Sequence, residues 1–203
     1  STGCIEEAYM PRIICAVLIV LLATGCATRK PASLNTPDHQ IEETIYRYQY
    51  AMTSPIQQTS MEYRDENLFC RLLPQELVIG LDIINLQEET ITIDWNQVRM
   101  IDPEGNAHPI VQNMVILRDM HRTRIPTTIM PQGVLNETIA PSDNAYLGFA
   151  GWQQRPIFPK TEDALSLKGA KVGVYLPVKI QNRVTNYLFE IVVTDVTKGI
   201  MIR

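Results

Sequence analysis

From Ile41 onward apolar residues alternate with polar ones in short runs, and this two-residue period constrains the fold more than any other feature of the chain. Successive side chains of an extended strand point to opposite faces, so alternation sends one face to a core and the other to water. Val172, Val174, Leu176, Val178 and Ile180 share a face, and after Gln181-Asn182-Arg183 they are answered by Tyr187, Phe189, Ile191 and Val193. Leu77, Ile79, Leu81 and Ile83 also share a face; after the polar turn Asn85 to Thr90 come Ile91, Ile93 and Trp95. Two antiparallel hairpins are predicted. Nowhere does a 3.6-residue apolar period last three turns, although Thr161 to Leu167 has room for one short helix.

Turn residues reinforce this reading. Asp102-Pro103-Glu104-Gly105-Asn106 places proline and glycine where a type I turn with a glycine bulge needs them, and Met130-Pro131-Gln132-Gly133 is similar. Strands spaced by roughly 8 to 12 residues with such turns predict an all-β antiparallel sandwich. The stretch Pro141 to Lys168 breaks the rhythm with three prolines (Pro141, Pro156, Pro159) and carries Tyr146, Phe149, Trp152 and Phe158. Four exposed aromatics would be an aggregation hazard. The expectation is therefore a lid packed over an open end of the sandwich, with exposure for recognition as the alternative.

The N-terminus has a different character. Ile13 to Ala23 is an unbroken apolar run behind Arg12, followed by the small residues Thr24 and Gly25 and then Cys26. Eleven residues of helix rise about 16 Å, roughly half a hydrocarbon core, so the run is read as a secretory signal and not a span. Glu6 and Glu7 have the wrong charge for the start of such a signal, so residues 1–9 are read as preceding the native start at Met10. The sequence Leu22-Ala23-Thr24-Gly25-Cys26 resembles the lipobox of bacterial lipoproteins, with Ala23 where leucine is commoner. That resemblance implies cleavage between Gly25 and Cys26 and a diacylglyceryl group on Cys26. Two or more acyl chains hold a protein stably on a bilayer. Ala27 and Thr28 follow, not Asp, which resembles outer-membrane sorting and implies a periplasmic face. Residues 26–40, with Pro31 and Pro37, read as a flexible tether, and residues 41–203 as a single β-sandwich domain.

Cleavage leaves 178 residues, enough to bury about 70% of the unfolded surface without disulfides. They carry 17 basic against 20 acidic side chains, a net charge of about −3 that argues against nucleic acid as a partner. Cys4 and Cys15 go with the leader and Cys26 is acylated, so Cys70 stands alone in an apolar stretch as a buried inert thiol.

Catalytic signatures are missing. His39, His108 and His121 form no HxH or HxxxH pair, and there is no G-x-S-x-G elbow, P-loop or G-x-G-x-x-G. On an alternating strand Asp94 points away from Ile93 and Trp95 toward solvent or an edge, and Asp102 with Glu104 is ordinary turn chemistry. No metal or cofactor is expected, and the chain is read as a non-enzyme. Arg118, His121, Arg122 and Arg124 form the one local basic cluster, a candidate contact for an acidic partner or for lipid head groups; Trp152 is the candidate apolar contact.

The segments E-N-L-F-C-R-L-L-P, L-V-I-G-L-D-I-I-N and I-T-I-D-W-N-Q-V-R-M-I-D-P-E-G, within Tyr63 to Gly105, resemble a group of uncharacterised bacterial lipoproteins. I-M-P-Q-G, E-T-I-A-P-S-D and V-G-V-Y-L-P-V-K-I extend the likeness over most of Tyr63 to Val196. It implies an immunoglobulin-like sandwich and an envelope location, and it carries no catalytic residue. Ile41 to Met61 fall outside it, where an extra first strand is expected. The function expected is that of a membrane-tethered module that binds or scaffolds an envelope protein through an open sheet edge. An accessory subunit of a secretion, pilus or efflux assembly is the main alternative, and a lipid or glycan hydrolase a weaker one.

Overall fold

A computed structural model describes residues 42–112 and 123–202. The strands are β1 (Glu42–Ser54), β2 (Glu62–Arg64), β3 (Leu68–Pro74), β4 (Ile79–Asn85), β5 (Ile91–Ile93), β6 (Arg99–Ile101) and β7 (Ala107–Gln112). They continue as β8 (Thr127–Ile129), β9 (Val134–Pro141), β10 (Ala145–Gly148), β11 (Gly151–Gln154), β12 (Lys171–Ile180) and β13 (Arg183–Ile202). The main sheet runs β1-β13-β12-β6-β7-β9-β4-β3-β2, with β5 also on β12 and β8 on β5, while β10 and β11 pair by themselves. The fold is all-β and sandwich-like. Its two layers belong to one curled sheet, continuous through the β6–β7 hairpin, where Met100 opposes His108.

The alternation places the core as expected. Leu68, Cys70, Leu72, Ile79, Leu81 and Ile83 from one layer meet Ile91, Ile93, Trp95, Val174, Leu176, Val178, Phe189 and Ile191 from the other, all fully buried. Tyr63 on β2 reaches across to stand edge-on to Tyr187 and Phe189 on β13. The predicted hairpin of the last two strands is present, with a tighter turn: Ile180 already opposes Arg183, and Gln181 takes a positive φ of 54°. Pro177, which has no N–H to donate, sits where β12 passes from β6 (Gly173–Tyr175) to β5 (Val178–Ile180). Gly173 leaves room there for Ile101, whose Cβ would lie 3.0 Å from an added Cβ.

The other predicted hairpin does not form. β4 is flanked by β3 and β9, whereas β5 pairs with β12 and β8 in the opposite layer. The connection after Asn85 crosses between layers because the buried Asn85 amide is held there. Its Nδ2 donates to the carbonyls of Glu89 (2.7 Å), Ile129 and Met130 (3.1 Å each), and its Oδ1 accepts from the Gln87 amide at 2.9 Å. Hydrophobic period identifies a strand's faces and says nothing about which edge it will pair.

The Asp102–Asn106 turn closes as read: the Gly105 amide donates to the Asp102 carbonyl at 3.0 Å and Gly105 has φ 89°. In the Met130–Gly133 turn the positive φ falls on Gln132 (56°) and not on the glycine. Glu162–Leu167 forms a short 3-10 helix pinned by the buried Ala164. The Asp94 carboxylate accepts from the Asn96 amide and side chain and from Gln97, capping the turn that joins β5 to β6. Cys70 is free and fully buried.

Candidate functional site

The β6–β7 turn sets up a small charged site that the spacing of histidines did not reveal. Asp102 leads the turn and accepts from the Asn106 amide (2.7 Å) and side chain (3.0 Å), which fixes its carboxylate beside the first turn of β7. His108 on β7 then offers Nε2 to Asp102 Oδ2 at 2.9 Å and Nδ1 to Asp143 Oδ2 at 2.7 Å. Asp143 belongs to a one-turn 3-10 segment, Ser142–Asn144, that leads directly into β10. The hydrogen bonds to Asp143 and Asp102 raise the His108 pKa above its ordinary value. Burial works against ionisation of Asp102, yet the bonds from Asn106 and His108 outweigh it and lower its pKa to about 2. His108 is thus clamped between two carboxylates, a setting that favours its charged form.

This clamp lines a cleft of about 330 Å³ that also includes Glu104, Arg155 and Val172. Ser142 is next to it, but its hydroxyl donates to Asp143 Oδ1 at 3.1 Å and not to the imidazole. A serine relay needs one imidazole nitrogen on the nucleophile and the other on the carboxylate; here carboxylates take both. Among the described residues no group of three or more His, Cys, Asp or Glu side chains is arranged to hold a metal ion.

Above the clamp, β10 and β11 form an arm that pairs outside the main sheet, with Leu147 opposite Trp152 and the tip turning through Gly151 at φ 103°. Phe149 at the tip is fully exposed, Leu147 is 70% exposed and Trp152 45%. The expected lid therefore holds in one respect only. Phe158 packs between Tyr48 and Tyr50, edge-on to both rings, and the amides of Ile157 and Phe158 donate to the Glu76 carbonyl. Phe158 is buried there, whereas Phe149 and Trp152 are exposed. The base of the arm is held by the Arg155 amide on the Asn144 carbonyl (2.8 Å) and by Gln154 Nε2 on the Leu77 carbonyl (2.7 Å). The Arg155 guanidinium lies over the Tyr146 ring, 5.4 Å from its centre.

Arg124 is the one member of the expected basic cluster among the described residues. Its amide donates to Asn96 Oδ1 and its carbonyl accepts from Asn96 Nδ2, while its guanidinium donates to the Ile110 carbonyl, all within the fold. Burial, with the nearby Arg99 charge, lowers its pKa. Arg118, His121 and Arg122 lie outside the described residues, as do His39, Gly25 and Cys26, where cleavage and acylation are expected.

No protein-family model, curated protein or solved structure matches the chain.

Proposed function

We propose that the chain is a lipid-anchored, non-enzymatic binding or scaffolding module of a bacterial cell envelope, with the β10–β11 arm as its docking element. The observation that carries this reading is the gathering of Leu147, Phe149 and Trp152 on one exposed hairpin outside the main sheet. Apolar side chains clustered this way are concentrated at sites of protein interaction, and aromatic residues dominate binding energy there. Hydrogen bonds at the arm's base and the charged clamp below it limit the ordering that docking would require. The lipobox-like Cys26 and the tether behind it supply the address: the outer membrane, facing the periplasm.

An accessory subunit of a secretion, pilus or efflux assembly is a specific version of this proposal. It requires an apolar patch centred on Trp152, and Leu147 opposite Trp152 forms the start of one. A hydrolase has less support, since both His108 nitrogens face carboxylates and Ser142 bonds elsewhere.

The test is photo-crosslinking in native envelopes from a benzophenone amino acid at position 149, with position 104 as control, alongside fractionation of wild type and Cys26→Ala. Expected is one discrete adduct from position 149, lost in Trp152→Ala, and release of Cys26→Ala from the membrane. A smear equal to that from position 104 would sink the docking role, and unchanged fractionation would sink the anchor.

A further inference from the structure

The β10–β11 arm has two roots of different chemistry. Its outgoing strand is tied by groups that do not titrate: Gln154 Nε2 donates to the Leu77 carbonyl at 2.7 Å, and beyond it the amides of Ile157 and Phe158 donate to the Glu76 carbonyl at 2.8 and 3.0 Å. Its incoming strand is tied through a group that does. Asp143, two residues before β10 begins, meets His108 Nδ1 on β7 of the main sheet at 2.7 Å. The two roots join where the Arg155 amide donates to the Asn144 carbonyl at 2.8 Å.

Both ring nitrogens of His108 must carry hydrogen to satisfy two carboxylates, and only the charged ring does so. The neutral ring has one N–H, and Asp102 is the carboxylate placed to keep it. Asn106 fixes Asp102 through its amide and side chain, and the Asp102 side chain is 24% exposed, whereas that of Asp143 is 61% exposed and can turn toward water. Asp143 keeps its other interactions, the Ser142 hydroxyl among them. The bond that neutralisation removes is therefore the one at the root of the arm. Glu104 from the β6–β7 turn and Arg155 from beyond β11 line the same cleft; β12 contributes Val172 there, and its Lys171 is paired with Glu190 at 2.9 Å. Glu104 favours the charged ring and Arg155 opposes it. The direct bonds to Asp143 and Asp102 prevail and raise the His108 pKa, which places release above the ordinary histidine value of about 6.5.

We propose that His108 is a pH-operated latch on the arm: its charged ring holds the incoming root to the main sheet, and loss of its proton lets that root open while the outgoing root stays tied. The inference rests on the reading of the arm as the docking element and adds the condition under which docking is strongest. With the latch closed a partner meets an arm already ordered. With it open, ordering the arm opposes binding, so binding weakens as pH rises.

Hydrogen exchange of the full chain, read by mass spectrometry on peptides covering residues 142–155, tests the latch with no partner present. Between about pH 6 and about pH 9, after correction for the intrinsic effect of pH on exchange, protection of these amides is expected to fall about tenfold while peptides from β12 and β13 keep theirs. Asp143→Asn retains the shape of the segment without its charge and is expected to show no such step, and neither is His108→Gln. Protection in β12 and β13 reports that each variant is folded. A wild-type arm whose protection does not change with pH overturns the proposal, as does an equal step in Asp143→Asn or His108→Gln, or a step shared with β12 and β13. Should the adduct from position 149 fail to form at any pH, the docking reading falls, and the exchange step still decides the latch.

Discussion

His108 Nδ1 stands 2.7 Å from Asp143 Oδ2 across 35 residues of sequence, and the opposite ring nitrogen stands 2.9 Å from Asp102. The ring therefore joins the β6–β7 turn to the segment that starts the aromatic arm. Charged, it donates to both carboxylates; neutral, it can donate to one only and turns a lone pair toward the other.

The pH dependence follows from this. The folded pKa of His108 is raised, so its contribution is fully present below the unfolded value of about 6.5 and is lost as pH rises through the folded pKa. Asp102 acts in the opposite sense. Its pKa is lowered to about 2, so its contribution is present above about pH 4 and is lost as pH falls toward 2. Denaturant unfolding of wild type and His108→Gln from about pH 5 to about pH 9 should show a stability gap that narrows as pH rises above neutrality. A gap independent of pH would mean that the clamp carries no charge.

Asn85 is the polar link between layers. Replacing it with alanine removes a donor from the buried carbonyl of Ile129, and one of two from that of Met130, which keeps the Gly133 amide, and should cost about 1–3 kcal/mol in urea unfolding. Asn85→Asp keeps the shape but faces those oxygens with a carboxylate, and should cost at least as much. If both variants unfold with wild type, the amide is not what holds the crossing.

Tyr187 fastens the β2–β3 turn to the opposite layer. Its hydroxyl donates to Asp65 Oδ2 at 2.8 Å and accepts from Asn67 Nδ2 at 3.1 Å, while Asp65 Oδ1 accepts the amides of Asn67 and Leu68. Tyr187→Phe retains the ring packing and should lose about 1–2 kcal/mol, measurable by thermal unfolding. No loss on removing the hydroxyl would show that Asp65 is satisfied within its own turn.

Cys70 should be silent in the native state. Burial, with a smaller contribution from the Asp82 charge, pushes its thiol up to about 12, and the side chain has no exposed surface. An aromatic disulfide reagent at neutral pH should label it only at the rate of unfolding, and in full in denaturant. Rapid native labelling would contradict the packing of β3 against the core.

Some of this architecture is legible in the order of residues because it is local. Alternation names the core residues from Leu68 to Val193, and Pro103 with Gly105 sets a turn whose bulge requires a positive φ. The Ile180–Arg183 reversal is likewise a matter of neighbours. Half of the clamp was within reach, since Asp102 and His108 flank one short turn. Asp143 was not, because what brings it near is the pairing of β7 with β9, Ile110 opposite Pro141.

What the sequence by itself determined is the alternating strands, which face of each is apolar and the turn at Asp102–Asn106, since these depend on a two-residue period and on the φ angles of glycine and proline. Only the tertiary structure decided that β5 leaves β4 for β12, that Phe158 and not Phe149 fills the space beside Tyr48 and Tyr50, that Arg124 turns inward to Ile110, and that a histidine meets two aspartates. Strand edges, unlike strand faces, are chosen by competition for backbone partners across the whole sheet, and one side chain filling a space excludes another from it.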